Sequence, residues 1–294
     1  MAACGVLNLN KPPGVTSRQA VNRVQRLLPR KTKIGHAGTL DPLAQGVLVV
    51  AVGSATRLIE TIQQTPKTYR AEFLLGRHSD TEDIEGQVVE IDEPVVPTAE
   101  AIRRALPKFE GTLQQRPPAY SALKVGGRRA YDLARRGEHV ELASREIVVH
   151  RIALDRYDYP ALGLTIECGS GTYIRSLGRD IAEAVGTAAV MSALERTAIG
   201  PFAVEQAVDP TVLTGDNLAE HLHDPGLAVA HLPRIVLNAD AARRVLSGQL
   251  IGRPDGLSGE GEFAAFDESN RLISIMVARG RDMLAPKRNF PPEG

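Results

Sequence analysis

Cysteine is scarce in this chain of 294 residues: there are two, Cys4 and Cys168. They give no disulfide framework and no metal-ligand spacing, and a reducing cytoplasm is the default expectation. Long apolar runs are also missing. The longest uninterrupted one is Val47–Val52, far short of the roughly 18 residues a membrane span needs. The first residues, Met1-Ala-Ala-Cys-Gly5, lack a positive stretch leading into an apolar one, so no signal peptide is expected. Net charge is zero, with 35 basic and 35 acidic side chains. Neither a P-loop nor a Rossmann glycine fingerprint is present. His221 and His223 stand beside Asp224 with no further ligand close in sequence, so neither metal nor cofactor is implied. What remains is an ordinary globular composition, 43% hydrophobic and 24% charged. Its length suits one or two domains with an ample core.

The neutral total hides a segregated distribution. Lys11, Arg18, Arg23, Arg26, Arg30, Lys31 and Lys33 precede the first carboxylate, Asp41, and the next acid is Glu60. Residues 78–100 hold eight acids and no Lys or Arg. Residues 114–136 reverse this, with Arg116, Lys124, Arg128, Arg129, Arg135 and Arg136 against Asp132 alone. Such blocks point to a polyanion-binding face with acidic surface elsewhere. Ordinary solvated faces would give the same counts.

Periodicity sketches the elements. Val6–Leu9 reads as a strand halted by Lys11-Pro12-Pro13-Gly14. Ser17 is placed to cap a helix running to about Leu28. Val47–Val52 reads as a buried strand, and Thr56–Gln64 as helical. Lys67–Leu75 alternates, with Tyr69, Ala71, Phe73 and Leu75 on one face. A further strand is expected over Gln87–Ile91, and a helix capped by Thr98 and ending near Leu106. Glu146–Tyr159 and Leu162–Cys168 are strand-like. Gly169-Ser170-Gly171 breaks the second, and a helix follows from Arg175 to Val185 with Gly186 as its cap. After about Leu232 come short strands and one short helix, a small β-rich unit of about sixty residues, near the lower limit for independent folding.

Three places could carry chemistry. The loop Gly35–Gly46 sets Asp41 among glycines and cations, where an ionised carboxylate could act as a nucleophile or stabilise positive charge at a sugar carbon. On spacing alone the favoured reading is that Asp41 caps a helix beginning at Pro42. Arg175 could hold a carboxylate by a bidentate pair, or be a surface residue at a helix start. Tyr69 could stack on a base, or be a core tyrosine.

Five segments, in order, resemble the TruB-type tRNA pseudouridine synthases. They are Leu9-Asn-Lys-Pro-Pro-Gly14, Gly35-His-Ala-Gly-Thr-Leu-Asp-Pro-Leu-Ala-Gln-Gly-Val-Leu48, Lys67-Thr-Tyr-Arg70, Arg116–Lys124 and Gly171-Thr-Tyr-Ile-Arg175. The likeness runs from about Gly5 to Phe202 and more loosely beyond. Thr39, Gln45 and Gln63-Gln64-Thr65-Pro66 depart from the commonest wording without touching a proposed functional residue. The resemblance implies an α+β pseudouridine-synthase fold with a mixed, largely antiparallel sheet over residues 1–230. It also implies a basic RNA-clamping insertion at about 114–141 and a small β-barrel, PUA-like domain at 231–294. It implies isomerisation of uridine 55 in the T arm of tRNA by a monomeric cytoplasmic enzyme without cofactor or metal. Asp41 would be the nucleophile and Arg175 its partner. Tyr69 would stack on the flipped uracil near the C5 proton, and Tyr173 and Leu194 would line the base pocket. His36 would fill the gap left in the RNA stack. Lys11, Lys67, Lys124, Arg128 and Arg129 would contact the substrate. An RNA-binding or folding-assistance protein and a nucleoside-bond hydrolase are the rival readings.

Overall fold

The computed structural model describes residues 4–121, 124–125, 128–129 and 142–291. The strands before residue 231 are β1 (Gly5–Lys11), β2 (Ile34–His36), β3 (Gln45–Val52), β4 (Lys67–Leu75), β5 (Arg77–His78), β6 (Val89–Glu90) and β7 (Gly111–Gln115). They continue with β8 (Lys124–Val125), β9 (Arg128–Arg129), β10 (Arg145–Asp158), β11 (Ala161–Cys168), β12 (Ala189–Ile199) and β13 (Phe202–Ala203). Helices α1 (Ser17–Gln25), α2 (Ile59–Gln64), α3 (Ala99–Ala105) and α4 (Ile174–Ala184) lie between them. Nine strands form one sheet in the order β1-β3-β12-β4-β11-β10-β7, with β2 on β3 and β13 on β12. Every pair in it is antiparallel except β3 with β12. The fold is the mixed, largely antiparallel α+β arrangement expected.

The alternation in Lys67–Leu75 is realised residue for residue, and Tyr69, Ala71, Phe73 and Leu75 are all buried. Helix α4 covers that face. Its closest approach is at Gly178, where a Cβ would lie 1.9 Å from Phe73 Cε1; the absence of a side chain lets the helix seat on the sheet. In the nine-stranded sheet periodicity leaves β2, β7, β12 and β13 unrevealed, and of these β12 stands at the centre between β3 and β4. Register shifts fall between Met191 and Ala193 and between Arg196 and Ala198. These irregularities break the two-residue period by which a strand is recognised.

Helix α1 differs in its cap. Thr16 rather than Ser17 accepts from Gln19 N, and Gln19 returns the bond to Thr16 N, a reciprocal capping box. Ser17 is thereby released for another task, described below. The helix ends at Gln25, short of Leu28, in the turn that leads to Pro29.

Most acids of the acidic stretch are exposed as expected, Asp80, Glu85, Glu90, Asp92, Glu93 and Glu100 among them, but Glu82 and Asp83 are not free surface. Residues 79–85 fold against α4: Ser176 Oγ donates to Glu82 at 2.6 Å, and Arg179 pairs with Glu82. Asp83 is 2% exposed. Burial pushes the Glu82 carboxyl upward, opposed by Ser176 and Arg179.

The C-terminal unit contains β14 (Arg234–Leu237), α5 (Ala239–Leu246), β15 (Ile251–Gly252), β16 (Glu262–Asp267), β17 (Leu272–Arg279) and β18 (Met283–Asn289). Its strands pair in the order β14-β16-β17-β18-β15. One face is continuous with the core of the preceding residues: Ala264, Phe266, Leu272, Ile275 and Phe290 cluster with Val6, Val49, Ile62, Phe202 and Val229. That shared core answers the size problem of so short a unit. No described helix is long and apolar enough to cross a membrane. Of the expected clamping insertion at about 114–141, β8 and β9 pair with each other, and most of the remainder lies outside the described residues.

Gly178→Ala should force the Phe73 ring aside and lower unfolding free energy by ~1–3 kcal/mol, the usual penalty of overpacking. Urea denaturation of the two proteins checks this; equal midpoints would contradict the packing described.

Candidate active site

The loop between β2 and β3 is tied down at four points. Ser17 Oγ donates to Leu40 O at 3.0 Å and accepts from Leu40 N at 2.8 Å. Gly14 N donates to Pro42 O at 2.8 Å. Arg196, on β12, donates from Nη2 to Gly38 O at 3.0 Å and from Nε to Val47 O at 2.8 Å. Gly46, at φ +97°, lies where a Cβ would be 2.3 Å from Arg196 O. The left-handed backbone and this close approach both require glycine.

Pro42 starts no helix. Ala44 N turns back to Asp41 O at 3.1 Å, and the Asp41 side chain caps nothing. Its carboxylate is 38% exposed and meets Arg175 Nη2 at 2.9 Å. The capping reading of Asp41 therefore gives way to the pairing one. Arg175 is itself 6% exposed, so it is no surface residue. Its Nη1 reaches Asp83 Oδ2 at 3.2 Å and donates to Thr81 O at 2.6 Å. Its Nη2 also donates to Tyr120 O at 3.2 Å. Asp83 is held in turn by Thr81 Oγ1 at 2.6 Å and by Glu85 N at 3.1 Å. One guanidinium thus joins two carboxylates, one buried and fixed, the other open to solvent. Glu85 sits close by; burial and the charges of Asp83 and Asp41 raise its carboxyl.

The start of α4 is set from β7. Gln115, 2% exposed, accepts from Tyr173 N at 2.9 Å and donates to Tyr173 O at 3.0 Å. This pair aims both Tyr173 and the following turn that bears Arg175. The Arg145 guanidinium lies over the Tyr173 ring, 4.5 Å from its centroid, a cation–π contact.

These residues enclose a cleft of about 570 Å³, lined by Asp41, Tyr69, Tyr173, Arg175, Leu194 and Arg196 among others. Its volume is that of a small-molecule site. Strand register explains the grouping. Arg196 stands opposite Tyr69 across β12 and β4, and opposite Gly46 across β12 and β3. Tyr69 is 9% exposed, and burial raises its hydroxyl while the Arg196 charge opposes the rise.

The remaining sequence-derived residues are placed as follows. Lys67 reaches the cleft, but its ammonium is held by Gln63 O and by Ser170 Oγ at 2.7 Å. Lys11 does not reach it. It is fully buried, and its three donors serve the carbonyls of Pro12, Val15 and Pro42. It braces the loop from behind and is not available to a phosphate. His36 is half-buried on β2, outside the cleft lining; burial lowers its imidazole and favours a neutral ring. Lys124, Arg128 and Arg129 have side chains outside the described residues. Sequence reasoning singles out neither Asp83, Gln115 nor Arg196, and gives Ser17 only the role of a helix cap. Asp83 was hidden in a stretch read as acidic surface, and Arg196 in the unrecognised strand. Among the described residues no group of three or more His, Cys, Asp or Glu could hold a metal.

Residues 25–174 match the model of the TruB family pseudouridylate synthase, N-terminal domain. The chain belongs to the TruB family of pseudouridylate synthases. It is 41% identical over 273 residues to tRNA pseudouridine synthase B of Dehalococcoides mccartyi, covering 89% of this chain and 91% of that one. The same-named protein of an Arthrobacter species is 39% identical over 291 residues, covering 94% and 93%. Among solved structures, an H/ACA ribonucleoprotein bound to a substrate RNA containing 2′-deoxyuridine superposes with a TM-score of 0.75. The sequences there are 25% identical, and the match covers 98% of this chain and 85% of that one.

Burial holds the Lys11 ammonium at about 8, down from 10.5. Between those values the unfolded chain keeps a proton that the folded chain has released, so stability rises with pH across that window. Wild type should therefore gain on Lys11→Met as pH rises from 7.5 to 9, by at most about 1.4 kcal/mol per pH unit. Paired urea titrations measure it; parallel curves would contradict it.

Proposed function

We propose that this TruB-family chain converts uridine 55 in the T arm of tRNA to pseudouridine, as a monomer in the cytoplasm. Support comes from the relatives' shared name, tRNA pseudouridine synthase B, and from the cleft. The observation that carries the reading is the Asp41–Arg175 pair at 2.9 Å, with a partly exposed carboxylate on the wall of a cleft floored by Tyr69. A protein that merely bound phosphates would gain nothing from a carboxylate there.

A uridine in a stacked loop must be turned out before its glycosidic bond can be reached, at a cost of a few kcal/mol. Stacking on Tyr69, with Leu194 and Tyr173 as further walls, recovers roughly 1–3 kcal/mol. The neutral His36 ring occupies the vacated place in the RNA stack. Asp41 acts at the ribose, attacking C1′ or assisting a glycal intermediate, as the C1′–N1 bond opens. Arg175 keeps the carboxylate aimed. The uracil turns, C5 joins C1′, and the C5 proton leaves beside Tyr69. Substrate and product are isomers, so the chemistry calls for no oxidant and no cofactor. The apolar walls keep water from the separated base. Residues 1–230 supply this chemistry. The insertion, through Lys124, Arg128 and Arg129, grips phosphates, and the PUA-like residues 231–294 contact the tRNA away from the cleft.

Asp41→Asn should bind unmodified tRNA nearly as wild type does and yield no pseudouridine in mass-spectrometric mapping. Normal turnover by that variant would refute the assignment.

A further inference from the structure

Besides Arg175, three cations are buried around the cleft: Lys11 at 0%, Arg196 at 1% and Lys67 at 5% exposure. Lys11 is used up by three carbonyls behind the loop. Lys67 and Arg196 are different, because both form part of the cleft wall. Among the described residues, neither has a carboxylate within ion-pairing distance. The carboxylate that the cleft does contain, Asp41, is taken by Arg175.

Burying a charge without a counter-charge is strongly unfavourable. Carbonyl oxygens offset part of that: Arg196 gives Nε to Val47 O and Nη2 to Gly38 O, and Lys67 donates to Gln63 O and Ser170 Oγ. No carbonyl or carboxylate is bonded to Arg196 Nη1 among the described residues. Scaffolding alone would be served as well by a neutral donor at either site. Two cations without a paired carboxylate in the lining of one cleft fit a pocket that must hold an anion at some moment.

The uracil itself brings no anion into that pocket, since the base is neutral. The reaction makes one. When the C1′–N1 bond breaks, its electron pair stays with the uracil and spreads over N1, O2 and O4. We propose that Arg196 and Lys67 form an anion-stabilising floor that holds the detached uracil between cleavage and rejoining. This rests on the functional reading above and extends it. The ribosyl fragment is held at Asp41 while the uracil anion stays against the two cations. Rotation brings C5 to C1′, the new C–C bond uses ring electrons and frees the Asp41 carboxylate, the C5 proton departs, and N1 regains a proton. Atoms and charge balance, and nothing is oxidised. The arrangement follows the general rule that fixed charges act where charge develops in the transition state. It also gives the base a reason to stay: an anion held by two cations does not diffuse away.

The test uses the full-length enzyme and a T-arm stem-loop carrying either uridine or 5-fluorouridine at position 55. Fluorine on the ring stabilises the departing anion by itself. Single-turnover consumption of the target nucleoside is followed for wild type, Arg196→Gln, Arg196→Lys and Lys67→Gln, with melting temperatures and RNA affinities measured alongside. Arg196→Gln and Lys67→Gln should be slower on uridine by ~100-fold or more, the usual effect of removing one such donor. On 5-fluorouridine the deficit should shrink at least about tenfold. Arg196→Lys, which keeps the charge but loses the two-pronged grip, should stay much nearer wild type. Equal deficits on both substrates, or a Lys variant as slow as the Gln variant, would show a scaffolding role and overturn the proposal. If Arg196→Gln does not fold, Lys67→Gln decides the question by the same comparison. A wild-type protein that forms no pseudouridine would instead overturn the functional reading, and this inference with it.

Discussion

One buried guanidinium organises this molecule's cleft. Arg175 projects from the first turn of α4 and joins Asp41, open to solvent, to Asp83, sealed from it. A charge so buried is tolerated when its donors are matched by acceptors, and here Thr81 O, Tyr120 O and two carboxylates supply them. The geometry demands that four distant segments agree: the Asp41 loop, the 79–85 stretch, the chain near Tyr120 and α4. Much of the fold can be understood as meeting that demand. Gly178 lets α4 settle on Phe73, Gln115 fixes the helix start, and Ser17, Lys11 and Arg196 clamp the loop.

The same cleft shows why a parallel strand pair occurs in an otherwise antiparallel sheet. Placing β12 parallel to β3 and antiparallel to β4 puts Arg196 beside Gly46 and opposite Tyr69 at once. The loop that bears Asp41 and the strand that bears Tyr69 are thereby held to one residue. Charge follows this layout. Cations are drawn inward around the cleft, and residues 79–85 of the acidic stretch brace α4.

What the sequence discloses and what it conceals have separate physical causes. The alternation in Lys67–Leu75 and the strand–turn–helix signal around Gly169–Gly171 are local, and both correspond to the elements found. Asp41, Tyr69 and Arg175 stand in motifs, so their grouping was legible from resemblance even though local spacing favoured a helix cap for Asp41. Asp83 was not legible, because nothing local distinguishes a bracing carboxylate from the solvated acids around it. Lys11 misled for a similar reason. A lysine in a basic segment suggests a phosphate contact, and its three carbonyl partners come into view through the fold. Strand β12 escaped notice because its bulges disrupt the alternation, and Arg196 went with it. The small C-terminal unit is visible as a texture change, but the core it shares with the residues before it is a long-range property.

The central claim is that Arg175 transmits the fixed position of Asp83 to Asp41. A double-mutant cycle on single-turnover pseudouridine formation, with Asp83→Asn, Arg175→Lys and both together, tests it most directly. If the two residues act through one device, the double variant will be about as slow as the slower single variant. If the two losses instead multiply, Asp83 and Arg175 act independently and the account is wrong.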